Sequence, residues 1–367
     1  MKKLILSTTV LITILFLNAC SSDDTSDEVS QNSAKDDQNL VEESVKDLMN
    51  GLEEFEKGDF SNLLIELFDG VDDDDDFHQN MIEAIEDIPN FQSLTDSEYP
   101  NEPFNVQNYF GLYTYNRNLG IWTTASSNSI MQMVFPMLTS SDSNDISMRV
   151  SGVTEKLLDI EDPIYIPTSL QLDLSYNNET MFELNILKVD YSMSGEIPVP
   201  NNVDFNIYMN PFTHKFNIEK KQDDLFKVSY TFDNKSDFEL RLEVLIGLLS
   251  TDYENLDEND IDYIKGDFIA NSIKVKFDID YEKLRSIDDP TVVHINNLVD
   301  LEVFNNNTLL GEIELDEDAD EKRSLHMVFV DGTKTNIENF SGIGNKGEEF
   351  SQTLEAIFAR YIDRLDD

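Results

Sequence analysis

The sequence predicts an α+β protein built on one large, twisted, mostly antiparallel β-sheet, with helices packing on it from the N- and C-terminal ends. Three observations carry this. From about residue 107 onward apolar residues recur with period 2; before that point they recur with helical spacing; and the links between the alternating segments are too short to contain crossover helices. With one face of each strand wet, the other face forms a broad apolar surface that helices, a second sheet or a ligand must cover. Such a sheet can also curl into a half-barrel.

The helical part comes first. Val41, Val45, Leu48, Leu52 and Phe55 fall at steps of four, three, four and three, which is one face of a helix. Leu63, Leu64, Leu67 and Phe68 suggest a second short helix, and Met81, Ile82, Ile85 and Ile88 a third, ended by Pro89. Alternation then marks strands at Leu170–Tyr176 and Phe182–Ile186. Its phase slips at Leu187, Val189, Tyr191 and Met193, which predicts a bulge or bend at Ile186–Leu187. Further strands follow at Val203–Met209, Phe226–Phe232, Phe238–Val244, Ile273–Tyr281 and Leu325–Phe329, the last running into an Asp331-Gly332 turn. Two stretches interrupt the pattern: residues 252–265, expected to be helical, and residues around 283–297. A closing helix from about Glu348 would place Phe350, Leu354, Ile357, Phe358, Tyr361 and Leu365 on its apolar side. These expectations make residues 39–367 a single α+β body: 39–90 helical, 107–340 β-rich and 346–366 the C-terminal helix.

The first residues do something else. Lys2 and Lys3 precede an apolar core, Leu4 to Leu17, and the small residue Ala19 stands directly before Cys20, the layout of a secretory signal over residues 1–19. Cys20 is the only cysteine in the chain, so no internal disulfide can form. Residues 20–38 are rich in acid and serine, with Val29 the one large apolar residue, and are expected to be a flexible, charged tether. The whole chain has 26 Lys and Arg against 74 Asp and Glu, a formal charge of −48. That field repels phosphate backbones, so nucleic acid is excluded as a partner, and any hold on a membrane must come from lipid rather than a basic patch.

Motifs for chemistry are sparse. The four histidines (His78, His214, His294 and His326) lie far apart in sequence with no ligand-like spacing, which argues against zinc. Asp72, Asp74, Asp76, Asn80 and Glu83 match positions 1, 3, 5, 9 and 12 of an EF-hand-like calcium loop, but Phe77 takes the place where the sharp turn needs glycine. A solvated acidic loop explains the same residues. Gly342-Ile-Gly344-Asn-Lys-Gly347 fits G-x-G-x-x-G, yet no strand follows its helix to complete a βαβ unit. The acidic runs at Asp257–Asp260 and Asp316–Asp320 show no ligand spacing. No nucleophile elbow, H-E-x-x-H helix or P-loop occurs, and no catalytic residue is assigned. Trp122, Tyr113 and Tyr115 could form a sugar-stacking platform, or pack on the sheet instead.

The leader ending Leu17-Asn18-Ala19-Cys20 resembles the lipobox of bacterial lipoproteins. With Ser21-Ser22-Asp23-Asp24 behind it, the start of the chain is similar to uncharacterised lipoproteins of the Bacteroidota, flavobacterial in type. Phe110–Tyr115, Trp122, Met131–Pro136 and Val328–Thr333 resemble segments of the same group. The resemblance implies cleavage before Cys20 and palmitate-type acylation at Cys20. It also implies an outer-membrane location, and in that phylum an acidic stretch behind the cysteine goes with export to the cell surface.

The expected function is therefore that of a lipid-anchored outer-membrane protein with a non-enzymatic binding or scaffolding role, displayed outward or held on the periplasmic face. It would contact the membrane through its lipid and a protein, lipid or glycan partner. Two alternatives remain: a carrier of lipid or another apolar ligand in the concavity of the sheet, and a glycan-binding or glycan-active surface protein. No cofactor is implied beyond the calcium pattern.

Overall fold

A computed structural model describes residues 32–63, 80–81, 83–85, 88, 105–137, 141–158, 164–195, 197–234, 238–317 and 323–337. The leader, Cys20, the Asp72–Asp76 run, the glycine-rich 342–347 segment and the expected C-terminal helix lie outside them.

Sixteen strands form one open, mixed sheet: β1 Gly111–Asn116, β2 Ile121–Ala125, β3 Ile130–Phe135, β4 Ile146–Leu158, β5 Ile164–Tyr176, β6 Glu179–Ser194, β7 Ile197–Met209, β8 Phe212–Gln222, β9 Leu225–Asp233, β10 Glu239–Leu248, β11 Ile261–Ala270, β12 Ile273–Asp280, β13 Val299–Asn305, β14 Thr308–Glu317, β15 Arg323–Phe329 and β16 Lys334–Asn336. They follow one another in chain order from β16 to β3, and β1 and β2 then complete the order β3-β1-β2. The pairing of β1 with β3 is parallel; every other pairing whose register is defined is antiparallel. The expected α+β class with a mostly antiparallel sheet is what the structure has.

Short polar turns make the meander possible. Asn177 and Asn178 both take positive φ, 52° and 68°, between β5 and β6, the backbone that two-residue hairpins need and asparagine tolerates. The expected slip is present: the β6–β7 register jumps between Ile186 and Lys188, leaving Leu187 as the extra residue and turning it outward at 54% exposure. The Asp331-Gly332 turn closes the β15–β16 hairpin, with the Phe329 amide donating to the Thr333 carbonyl at 2.8 Å.

Helix α1 runs from Asn32 to Glu56, so residues 32–38, expected as tether, are already helical. The Gln38 amide donates to the Glu42 carboxylate one turn on, at 3.0 Å, a pairing that carries a polar helix beyond its apolar face. Residues 252–265 are not helical. A 3-10 turn at Glu258–Asp260, capped at both ends of its box by Asp257 and Asp260, leads straight into β11 at Ile261. There the sheet edge of β10 offers a full ladder of partners, which outweighs a helix with few apolar residues. The second interruption does hold helices, α2 (Tyr281–Arg285) and α3 (Val292–Leu298).

The chain divides into two compact units. Unit 1 comprises Met1–Glu53, Lys221–Val228 and Asp237–Asp367. In it Val41 of α1 packs on a cluster of Ile273, Val303, Leu310, Met327 and Phe329, and Gly51 of α1 lies directly against the Phe238 ring. A second cluster joins Val244, Ile246, Ile261, Ile264 and Ile279, with Tyr281 and Leu284 of α2 packed on it. Unit 2 comprises Glu54–Lys220 and Ser229–Ser236. Its cores are Phe60, Leu63, Met137, Ile146 and Met181 in one place, and Met81, Ile88, Tyr109, Tyr113, Tyr115, Trp122 and Met133 in another.

Candidate functional site

The apolar face of unit 2 is built by register. Antiparallel pairing puts the side chains of directly opposed residues on the same side of the sheet, so each cross-strand row is one stripe of a face. One row runs Met148, Leu174, Phe182, Met209, Phe212. Helical residues 59–63 cover it through Phe60, whose ring stacks on Phe182 at 5.3 Å, and through Leu63. The next row runs Val150, Leu172, Leu184, Ile207, His214, and the one beyond it Leu170, Ile186, Phe205, Phe216.

These last two rows differ from the first. Leu172, Leu184 and Ile207 are half-buried, as are all four residues of the Leu170–Phe216 row. None of them belongs to the clusters formed round the buried residues of unit 2. The Phe205 and Phe216 rings stack at 4.8 Å and 16°, and Phe216 lies 4.7 Å from Tyr230. The result is a half-buried aromatic and aliphatic surface. What it can do chemically is take up apolar area.

His214 sits at the covered end of its row. Phe55 of α1 meets Phe212, His214 and Phe232 edge-on at 5.4, 5.5 and 5.4 Å, and the His214 ring stacks on Phe232 at 4.5 Å. Its Nδ1 is 2.8 Å from the Tyr230 hydroxyl, while its Nε2 is buried without a hydrogen-bond partner. Burial lowers its pKa from 6.5 to about 4, against the weaker opposing pull of Asp233. Burial likewise raises the Tyr230 phenol above its ordinary value. Both groups are held neutral near pH 7, and among the described residues no carboxylate or nucleophile is bonded to them, so the pair acts as a structural element of the face.

On the other side of the sheet a polar cleft of about 260 Å³ is lined by Gln132, Ser143, Asn144, Asp145, Ser147 and Asn178 among others. Its polar groups are engaged by its own loop. Asp145 accepts from the Met137 amide at 2.6 Å and the Ser141 hydroxyl at 2.8 Å, and the Asn144 amide donates to the Tyr115 and Val134 carbonyls at 3.0 and 3.3 Å. The cleft is a loop anchor.

The residues singled out in the sequence fall as follows. Trp122, Tyr113 and Tyr115 are buried at 8%, 2% and 5% exposure, and the Trp122 indole donates to the Met81 carbonyl at 3.2 Å. They form core, not a sugar platform, because the helical residues around Met81 and Ile85 lie on them. Of the calcium pattern, Asn80 and Glu83 are exposed and helical, while Asp72, Asp74 and Asp76 fall outside the described residues. Among the described residues no group of three or more metal-ligating side chains converges. The acidic runs are tied down where they are described: Asp257 and Asp260 cap their turn, Asp316 pairs with Lys334 at 2.8 Å, and Glu317 with Arg323 at 3.2 Å. The half-buried rows were missed as a site: strands β5, β6 and β7 were legible, but β4 and β8, which supply Val150, His214 and Phe216, were not marked. The missing signal was the cross-strand register, which one strand alone does not carry.

No known protein-family model, curated protein or solved structure matches this chain. Among the described residues no helix is long and apolar enough to cross a membrane.

Proposed function

We propose that this chain is an outer-membrane lipoprotein, anchored by acyl chains on Cys20, with a non-enzymatic binding role, and that its ligand is an apolar chain taken up on the half-buried face of unit 2. The observation that carries the binding part is the pair of rows from Leu172 to Ile207 and from Leu170 to Phe216, which are apolar and left half-buried. An acyl or similar chain laid across them would remove further apolar area from water, at roughly 25 cal/mol per Å². The placement rests on the leader, on Cys20 as the sole cysteine, and on the resemblance of Leu17–Asp24 to flavobacterial lipoproteins. A chain of formal charge −48 gains no net attraction to anionic lipid, so several chains on one cysteine are the physical means of anchorage.

Organic extraction and mass spectrometry of the purified protein test the binding role. A co-purifying apolar molecule is expected, at least tenfold reduced in Phe205→Asp; protein that yields none, and that also fails to bind a fluorescent fatty acid, would end this reading. Metabolic labelling with palmitate tests the anchor separately: label is expected on the wild type and absent from Cys20→Ser.

A further inference from the structure

The two ends of the strand order are finished differently. β16 is a three-residue strand, Lys334-Thr335-Asn336, and its lysine reaches Asp316 and Glu314. Short length and a lysine are ordinary means of stopping a sheet edge from adding further strands. β2, at the other end, has neither. It is five residues, Ile121-Trp-Thr-Thr-Ala125, and among the described residues no strand pairs with its outer side. Alternate residues of β2 therefore turn their N–H and C=O groups away from β1 with no ladder to receive them. Its side chains are exposed except for Trp122, with Ile121 at 45% and neighbouring Leu119 at 65%.

Charge says which strand could approach. Asp, Glu, Lys and Arg make up 27% of the chain, yet none occurs in the 24 residues from Asn118 to Ser141. Core positions explain part of this gap, but Leu119, Gly120, Ile121, Thr123 to Ser126, Asn128 and Ser129 are exposed. A cationic partner would be met best by acidic residues, which this protein has in abundance elsewhere. A second copy, carrying the same −48, could be met only where neither chain presents a charge. The strand is also compatible with itself. Antiparallel pairing about Thr123 sets Thr123 opposite Thr123, Trp122 opposite Thr124 and Ile121 opposite Ala125, all tolerated cross-strand pairs.

We infer that the β2 edge is a self-association site, at which two copies join antiparallel through their β2 strands about a two-fold axis at Thr123. The pairing is isologous and consumes both β2 edges, and β16 is blocked, so association stops at the dimer. A five-residue ladder makes a small interface, so the dimer is weak and its strength depends on salt: the net repulsion of two acidic bodies is screened as ionic strength rises.

The full-length lipidated protein in detergent provides the test. Sedimentation velocity should show the dimer fraction rising severalfold between 20 mM and 500 mM NaCl, and Thr123→Lys should reduce it at least tenfold without changing the thermal transition. Because Cys20 carries lipid in the mature protein, Thr123→Cys supplies the only free thiol, and mild oxidation should convert it to a disulfide-linked dimer, with Thr335→Cys on the β16 edge as the control. A protein monomeric at every salt concentration overturns the inference. So do a dimer that survives Thr123→Lys, growth beyond two copies, and equal cross-linking through Thr335→Cys.

Discussion

His214 shows how one residue can make this fold sensitive to acid. Its ring is packed by Phe55 and Phe232 and its Nε2 has no acceptor, so the imidazolium is excluded from the folded state. The folded pKa of about 4 lies below the unfolded 6.5, so its neutral form is fully accommodated above pH 6.5, and stability is lost as pH falls from there toward 4. The loss approaches about 3 kcal/mol, from roughly 1.4 kcal/mol per pKa unit. Asp280, Asp316 and Asp331 act in a lower window: their pKa values are held below 3.8, chiefly by bonds from Lys283, Lys334 and Thr333, and their contributions vanish only as pH falls below that. Urea titrations at pH 7, 5.5 and 4.5 should therefore show a decline that His214→Phe removes. A decline unchanged in that variant would show that His214 is not its source.

Trp122 carries the second prediction at this scale. Its burial and its bond to the Met81 carbonyl make it a core residue, so Trp122→Ala should cost about 3–5 kcal/mol in denaturant unfolding. A surface sugar platform would lose binding but almost no stability. Its aromatic character and its place in an alternating segment were legible; its burial was not, because the cover comes from residues around Met81, 41 positions earlier in the chain.

Among elements, β6 was the most legible. A single slip in alternation between Ile186 and Leu187 marked the bulge, because a side-chain period of 2 leaves no other way to change faces within one strand. Leu187→Lys should change stability by less than about 0.5 kcal/mol, the extra residue already facing water. Deleting Leu187 removes only the extra residue, leaving Ile186 opposite Phe205 and Lys188 opposite Asp204, so buried Tyr191 keeps its face and an unchanged m-value is expected in the same unfolding experiment. Helix α1 was legible only in its apolar half. Its extension back to Asn32 has no apolar face, and its seating depends on Gly51 meeting Phe238, a close approach that spacing does not announce. Gly51→Leu should cost about 1–3 kcal/mol by overpacking, read as a shift in the midpoint of denaturation. The 252–265 region was misjudged because Tyr253, Leu256, Ile261 and Ile264 mimic helical spacing, whereas the last two belong to a strand fixed by pairing with β10.

For the whole molecule, charge and sheet order dominate. A chain of formal charge −48 repels itself, and among the described residues the ion pairs that its cations form are mostly exposed, such as Lys276 to Glu302 at 2.6 Å and Lys227 to Glu243 at 2.8 Å. Screening the surplus acid should outweigh weakening these pairs. The thermal midpoint is accordingly expected to rise by several degrees, on the order of 3–6 °C, between 10 mM and 500 mM NaCl in calorimetry. A fall would mean that the ion pairs outweigh the repulsion. By itself the sequence determined the phases of the strands it marked, the β6 bulge, the short links between them and the surplus of acid, because each depends on composition or on residues within a few positions of one another. Only the tertiary structure decided that β1 runs parallel to β3, that Trp122 is covered, and that the rows from Leu170 to Phe216 and from Leu172 to Ile207 stay half-buried. Those outcomes depend on which distant segments pair and which side chains lie over them, and local period does not encode that choice.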